Sequence, residues 1–170
     1  VSSLGSPDWV VLDLDPGERT TWEKTIDVAL AIRRLLELLE LTSVVKTSGQ
    51  KGLHVLVPIG KGHTLAQAHD FGRRAAIMIT RLFPDDIALD PTAEKRTGRL
   101  YLDHLQSFVG KSLVLPYSLR AADAAPISAP IEWSEVTYTL DPKAFNLRTM
   151  RARLDARGDL AAPLLSGTAR

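Results

Sequence analysis

Asp13 and Asp15 stand two residues apart in Trp9-Val10-Val11-Leu12-Asp13-Leu14-Asp15, an apolar run that leads into the turn residues Pro16-Gly17. Read as a first strand over residues 9–15, it puts both carboxylates on one face, because side chains at i and i+2 of a strand point the same way. Paired oxygen ligands suit Mg²⁺ or Mn²⁺ in a nucleotidyl-transfer site, where two ions roughly 3.5–4 Å apart stabilise the attacking and leaving oxygens. Taken alone, an Asp-x-Asp-Pro-Gly at a strand end is more often turn chemistry. Asp103 shifts that balance: it ends the apolar run Leu100-Tyr101-Leu102-Asp103, which reads as a strand beside the first. Three carboxylates on one sheet face raise one another's pKa unless a cation neutralises them.

A complementary set of donors lies in Ser48-Gly49-Gln50-Lys51-Gly52-Leu53-His54. Backbone N–H groups freed by glycine, a hydroxyl, an ammonium and an imidazole suit a triphosphate. The same residues also describe an ordinary glycine-rich hairpin facing water, and a lone histidine is more often structural. His54, however, starts the apolar strand Leu53 to Val57 next to the proposed metal strand, which favours a phosphate-donor role. Lys95, Arg96, Arg99, Lys111 and Arg120 flank Asp103 in sequence, as a polyanionic substrate would require. Gln106 is a sugar or phosphate contact, or an ordinary turn residue.

The elements that must position these groups follow from periodicity. Thr20 with Glu23 has the form of a capping box, and Trp22, Ile26, Ala29, Leu30, Leu36 and Leu39 recur at helical spacing, predicting a helix of about 20 residues. Residues 43–47 and 53–58 read as a hairpin. Thr64 with Gln67 repeats the capping signal ahead of a second helix that Pro84 terminates. The resulting order, β-α-β-β-α-β, predicts an α+β fold of the ferredoxin-like or RRM-like kind, with the first strand central and the third and fourth on either side of it. Beyond Gly110 a Pro-, Ala- and Ser-rich wrap extends to Pro130, and a helix carrying Arg148, Arg151, Arg153 and Arg157 is expected near residues 147–157. One module over residues 1–160, then a tail or linker over 161–170, is the expected organisation.

Composition is permissive rather than decisive. The chain has 170 residues, 45% hydrophobic and 24% charged, which suits one globular domain. No stretch approaches the roughly 18 apolar residues of a membrane span. Net charge is +1, so a nucleic-acid surface would have to come from local clustering. The absence of cysteine excludes disulfides and thiolate metal sites and is compatible with a reducing cytosol. Val1 opens the sequence without a signal segment, as an excised piece would.

Four stretches in order now resemble one family: Asp13-Leu14-Asp15; Ser48 to His54; Arg96-Thr97-Gly98-Arg99-Leu100-Tyr101-Leu102-Asp103-His104-Leu105-Gln106; and Gly110-Lys111-Ser112-Leu113-Val114-Leu115-Pro116-Tyr117-Ser118-Leu119-Arg120. They look like successive motifs of the polymerase domain of bacterial ligase D, in the archaeo-eukaryotic primase superfamily, and the likeness runs from about Asp8 to Leu160. The resemblance implies that Asp13, Asp15 and Asp103 bind two Mn²⁺ or Mg²⁺ ions. It implies that Ser48, Gly49, Lys51 and His54 hold a nucleoside triphosphate, and that Arg96, Gln106 and Arg120 lie along nucleotide or primer contacts. It further implies addition of nucleotides, preferentially ribonucleotides, to primer-template DNA ends in non-homologous end joining. The implied setting is the bacterial or archaeal cytoplasm near the nucleoid, with ligase and nuclease domains of a parent chain and an end-binding protein as partners.

Two departures accompany the likeness. Ser107 stands where the family often has Asn, and the family's preceding α/β module has no counterpart here. The chain alone is therefore expected to bind metal and triphosphate but to extend primers poorly. Two competitors remain. A nucleotidyl cyclase or nuclease would share the carboxylates without needing the Ser48–His54 loop. A noncatalytic RRM-like nucleic-acid binder would expose stacking aromatics on its central strands, with Trp9 and Tyr101 as candidates.

Overall fold

The computed structural model describes residues 5–90, 92, 98–106 and 110–165. In chain order these form β1 (Trp9–Asp15), α1 (Trp22–Leu38), β2 (Val44–Thr47), β3 (Leu53–Pro58), α2 (Leu65–Leu82), β4 (Ile87–Ala88), β5 (Leu100–Asp103), β6 (Pro130–Ile131), α3 (Met150–Arg157) and α4 (Ala162–Leu165), with short 3₁₀ turns before α3. The strands make one sheet in the order β4-β5-β1-β3-β2-β6. The first strand is central, between the hairpin strand β3 and the strand that carries Asp103, as the β-α-β-β-α-β reading expects.

Strand alternation divides the sheet into two unlike faces. Val10, Leu12 and Leu14 of β1 join Val45, Val55, Val57, Leu100 and Leu102 in a core sealed by Ile26, Ala29, Ile32 and Leu36 of α1 and Ala75, Ala76 and Ile79 of α2. Each fully buried Val, Leu or Ile among them contributes roughly 1.5–3 kcal/mol. Val11, Val44 and Leu56 point the other way and are covered by Ala161 and Leu164. The stretch read as a tail from residue 161 thus begins with buried side chains, and the Trp9 indole donates to the Leu164 carbonyl at 3.1 Å. Trp9 therefore packs beneath α4, and Tyr101 is buried, so neither presents an open ring for stacking a base.

Both long helices carry a threonine cap, one of them displaced by a residue from the expected position. Thr21, not Thr20, caps α1, its Oγ1 accepting from Lys24 N at 3.2 Å. Thr20 N is bonded to the Gly17 carbonyl at 3.0 Å, so Thr20 belongs to the preceding turn. The capping box on α2 forms as read: Thr64 N donates to Gln67 Oε1 at 2.8 Å and Gln67 N to Thr64 Oγ1 at 3.3 Å. That helix stops at Leu82, ahead of Pro84, where a proline ring and the residue before it cannot continue a helix. The arginines near α3 are largely matched by acids: Arg151 with Asp155, Arg153 with Glu135 and Arg157 with Glu132. No helix among the described residues is long and apolar enough to cross a membrane.

Candidate active site

Register places four polar side chains in one line across neighbouring strands. Lys46 of β2 pairs with His54 of β3, His54 with Asp13 of β1, and Asp13 with Asp103 of β5. Their strand neighbours Val45, Val55, Leu12 and Leu102 lie in the helix-covered core, so all four polar groups occupy the opposite face. Strands sit about 4.8 Å apart, so the line runs roughly 14 Å from a cation at one end to carboxylates at the other.

The acidic end is crowded. Gln106 bridges two carboxylates with its amide nitrogen, donating to Asp13 Oδ2 at 3.3 Å and Asp103 Oδ2 at 3.1 Å. Asp103, 3% exposed, also accepts from Leu105 N at 2.7 Å, and Lys111 Nζ stands 3.8 Å from its Oδ2. Burial, then the charges of Asp15 and Asp103, push the Asp13 carboxyl up to about 7, against the opposing pull of Lys46 and the Gln106 amide. This is the behaviour of a carboxylate short of positive charge. The buried Gln106 Oε1 has no hydrogen-bond partner. An all-oxygen donor set with unmet negative charge fits a hard divalent cation. As they stand, no three His, Asp or Glu side chains among the described residues form a group that could hold a metal ion, and the Gln106 amide bonds to both Asp13 and Asp103.

The loop end is built for an anion. Ser48 Oγ accepts from Gln50 N at 3.2 Å and Gly52 N at 3.0 Å, which leaves its own proton to donate elsewhere. Ser48 N bonds to the Gly52 carbonyl at 2.9 Å and closes the turn. Gly52 is required there, because an added Cβ would fall 2.0 Å from the Leu14 carbonyl oxygen. A cavity of about 490 Å³ is lined by Asp13, Asp15, Ser48, Lys51, His54, Gln106 and Arg120, with a further wall from Ser112 to Val114. His54 Nε2 lies 3.4 Å from Asp13 Oδ1, while its Nδ1 is buried without a partner. Burial, then Lys46 and Arg120, hold the imidazole down to about 3, so it is neutral and has one N–H to give, to the carboxylate or to a phosphate.

A model of the LigD primase-polymerase domain matches residues 1–161. The chain belongs to the LigD primase-polymerase family. Curated relatives include the multifunctional non-homologous end joining protein LigD of Pseudomonas aeruginosa, 33% identical over 155 residues, which span 91% of this chain and 18% of that protein. The corresponding protein of Mycolicibacterium smegmatis is 36% identical over 157 residues, or 91% of this chain and 20% of its own length. Bacillus subtilis has a bifunctional LigD that is 32% identical over 153 residues, 89% of this chain and 25% of the relative. The chain thus spans about a fifth to a quarter of these relatives. Among solved structures, the polymerase domain of Mycobacterium tuberculosis ligase D in complex with DNA superposes with a TM-score of 0.86 at 29% identity, covering 98% of this chain and 57% of that one.

Within this LigD primase-polymerase domain the site residues read from sequence are only partly together. Asp13, Asp15, Ser48, Lys51, His54, Gln106 and Arg120 line one cavity, and Asp103 lies behind Gln106. Gly49 does not face that cavity: its φ of +74° folds the loop so that it packs on Arg120, whose Cγ is 2.6 Å from where a Cβ would stand. Of the cations flanking Asp103 in sequence, Lys111 and Arg120 reach the site, whereas Arg99 lines a separate recess with Arg19 and Lys24. Lys95, Arg96 and Ser107 lie outside the described residues. Lys46 was not among the candidates, although the hairpin contained the signal: five loop residues between positions 47 and 53 set 46 opposite 54.

Proposed function

We propose that this module catalyses metal-dependent nucleotidyl transfer, adding nucleotides, preferentially ribonucleotides, to primer-template DNA ends during non-homologous end joining. The observation that carries the reading is the line from Lys46 to Asp103, which sets carboxylates with unmet negative charge beside a loop of anion donors in a single cavity. Family membership supports it, as does a structural relative described in complex with DNA. A nuclease reading accounts for the carboxylates but gives no role to the free hydroxyl proton of Ser48 and the ammonium of Lys51 on the same cavity, whereas a cyclase would use those donors on the same triphosphate and is told apart by its product.

In this mechanism Asp13, Asp15 and Asp103 would hold Mn²⁺ or Mg²⁺, two ions, which when bound supply charge stabilisation at the attacking and leaving oxygens. The chain's own residues do the rest. Ser48 donates its free proton, and Lys51 and Arg120 their charge, to the phosphates, orienting the α-phosphorus toward a primer 3′-hydroxyl. Gln106 gives up the carboxylates when they ligate and offers its amide to sugar or phosphate. The ligase and nuclease activities of a parent chain, an end-binding protein and a place at the bacterial nucleoid belong to the same proposal. The test is Mn²⁺-dependent binding of a labelled ribonucleoside triphosphate, followed by product analysis on a primer-template end. The native chain should bind with metal, and Asp13→Ala, equally folded, should not. Equal binding by both, or cyclic or cleaved products, would overturn the reading.

A further inference from the structure

Lys46 has no part in the nucleotide-binding set described so far, yet it is 0% exposed at the cationic end of the polar line. A buried ammonium is costly unless its surroundings need it. Its Nζ donates to Ser128 Oγ at 2.5 Å, and Ser128 Oγ donates in turn to the Thr47 carbonyl at 2.8 Å. Thr47 completes the lattice: its Oγ1 donates to the Ile127 carbonyl at 3.1 Å and accepts from Ala129 N at 3.0 Å. These bonds join β2 to one short segment. That segment folds back on itself through Ser128 N to the Ser118 carbonyl at 3.0 Å and Arg120 N to the Pro126 carbonyl at 2.9 Å. Arg120 therefore reaches the cavity on a hairpin-like loop whose return limb is pinned by Lys46 and Thr47.

We propose that Lys46 is a positioning residue for the triphosphate pocket, holding Arg120 against the Ser48–His54 loop through Ser128. Arg120 lies against Gly49 of that loop, so a shift of residues 118–128 moves the guanidinium and the loop together. Charge supports the same placement. Burial brings the Lys46 ammonium down to about 7, Asp13 works to raise it and Arg120 to lower it further, so the charge of Lys46, buried beneath the site face, is felt against that of Arg120 on the cavity wall. Such a pair is accommodated best when an anion lies beside it. A buried charge at a cost to stability, bonded to the frame of a cavity cation, is retained for what it positions.

The inference rests on the nucleotide-transfer reading, and its test separates the two. Hydrogen exchange at the Arg120 and Ser128 amides is measured without nucleotide in the native chain, Lys46→Met, Lys46→Arg and Ser128→Ala. Affinity for a fluorescent ribonucleoside triphosphate with Mn²⁺ and thermal unfolding are measured on the same proteins, on Arg120→Ala and on the Lys46→Met, Arg120→Ala double variant. Lys46→Met and Ser128→Ala should exchange these amides about tenfold faster, while Lys46→Met unfolds no earlier than the native chain, since an apolar side chain of similar volume replaces a buried charge. Triphosphate affinity should fall about tenfold in Lys46→Met but less than twofold when the same change is made on Arg120→Ala, because residues acting through one another are not additive. Native exchange rates in both Lys46→Met and Ser128→Ala, or a full additive loss in the double variant, would overturn the inference. Should Lys46→Met not fold, Lys46→Arg and Ser128→Ala decide by exchange. No triphosphate binding by the native chain would overturn the nucleotide reading instead, leaving the exchange result to judge the clamp.

Discussion

At one end of the polar line, Asp13 and Asp103 are fixed by strand pairing and share a single amide nitrogen from Gln106, while at the other end Lys46 is fixed by side-chain bonds into a folded loop. Burial strains both ends, but differently. The acidic end is left short of positive charge, with Asp13 raised to about 7 and Gln106 Oε1 unpartnered. The cationic end has its bonds made and its donors aimed outward, with the Ser48 proton and the Lys51 ammonium facing the cavity. Strands thus hold the groups that need a cation, and loops hold those that receive an anion. Such a division suits a substrate that arrives as a metal-bound polyanion.

The greatest change is expected from removing a carboxylate. Asp103→Asn should lower nucleotidyl transfer on the order of a thousandfold, while the metal-free protein unfolds at the native temperature or above it because crowding is relieved. A matching loss of thermal stability would mean that Asp103 serves the fold. Next in size is Gly52→Ala, whose Cβ would collide with the Leu14 carbonyl; a loss of about 2–4 kcal/mol is expected in urea unfolding. Stability equal to native would show that the turn is not pressed against β1.

The pH dependence tests both ends at once. Asp13 is raised from 3.8 to about 7, so between those values the folded chain holds a proton that the unfolded chain has released, and stability falls as pH rises. Lys46 is lowered from 10.5 to about 7, so above that point the unfolded chain binds the extra proton, and stability climbs again. The metal-free melting temperature should therefore pass through a minimum near neutrality, and Mn²⁺, which needs the deprotonated carboxylate, should lift the profile at and above that minimum more than on its acid side. A flat profile would contradict the assignment of unmet charge to the line. The smallest effect is a control outside both ends: Thr64→Ala removes a capping-box partner on α2 and should cost about 1 kcal/mol with triphosphate affinity unchanged.

Much of this was legible from residue order because strands with alternating burial and helices with capping signals dominate the molecule. β1, the hairpin and α2 announce themselves by period and cap, and the topology follows from their order. β4 and β6 did not, since two residues carry no periodicity. The cap of α1 was displaced by one residue because Thr20 and Thr21 offer the same hydroxyl, and only the Gly17 turn chooses between them. In the site, residues with obvious chemistry were visible, whereas Lys46 resembled an ordinary polar residue of a strand until register set it opposite His54. Ser128 sits in a Pro-, Ala- and Ser-rich wrap, where no local pattern distinguishes one serine from another. Gly49 shows the converse: a glycine in a phosphate-like loop proved to make room for Arg120 rather than for a ligand.

Asp13 and Asp103 are proposed to ligate a divalent cation, with Gln106 turning aside. Crystals soaked in Mn²⁺ and measured for anomalous scattering test it most directly. The expected result is a peak within ligating distance of both carboxylates, roughly 2–2.5 Å from oxygen, with the Gln106 amide displaced. A map without a peak there at saturating Mn²⁺, or with the metal elsewhere and Gln106 still bridging the two aspartates, would contradict it.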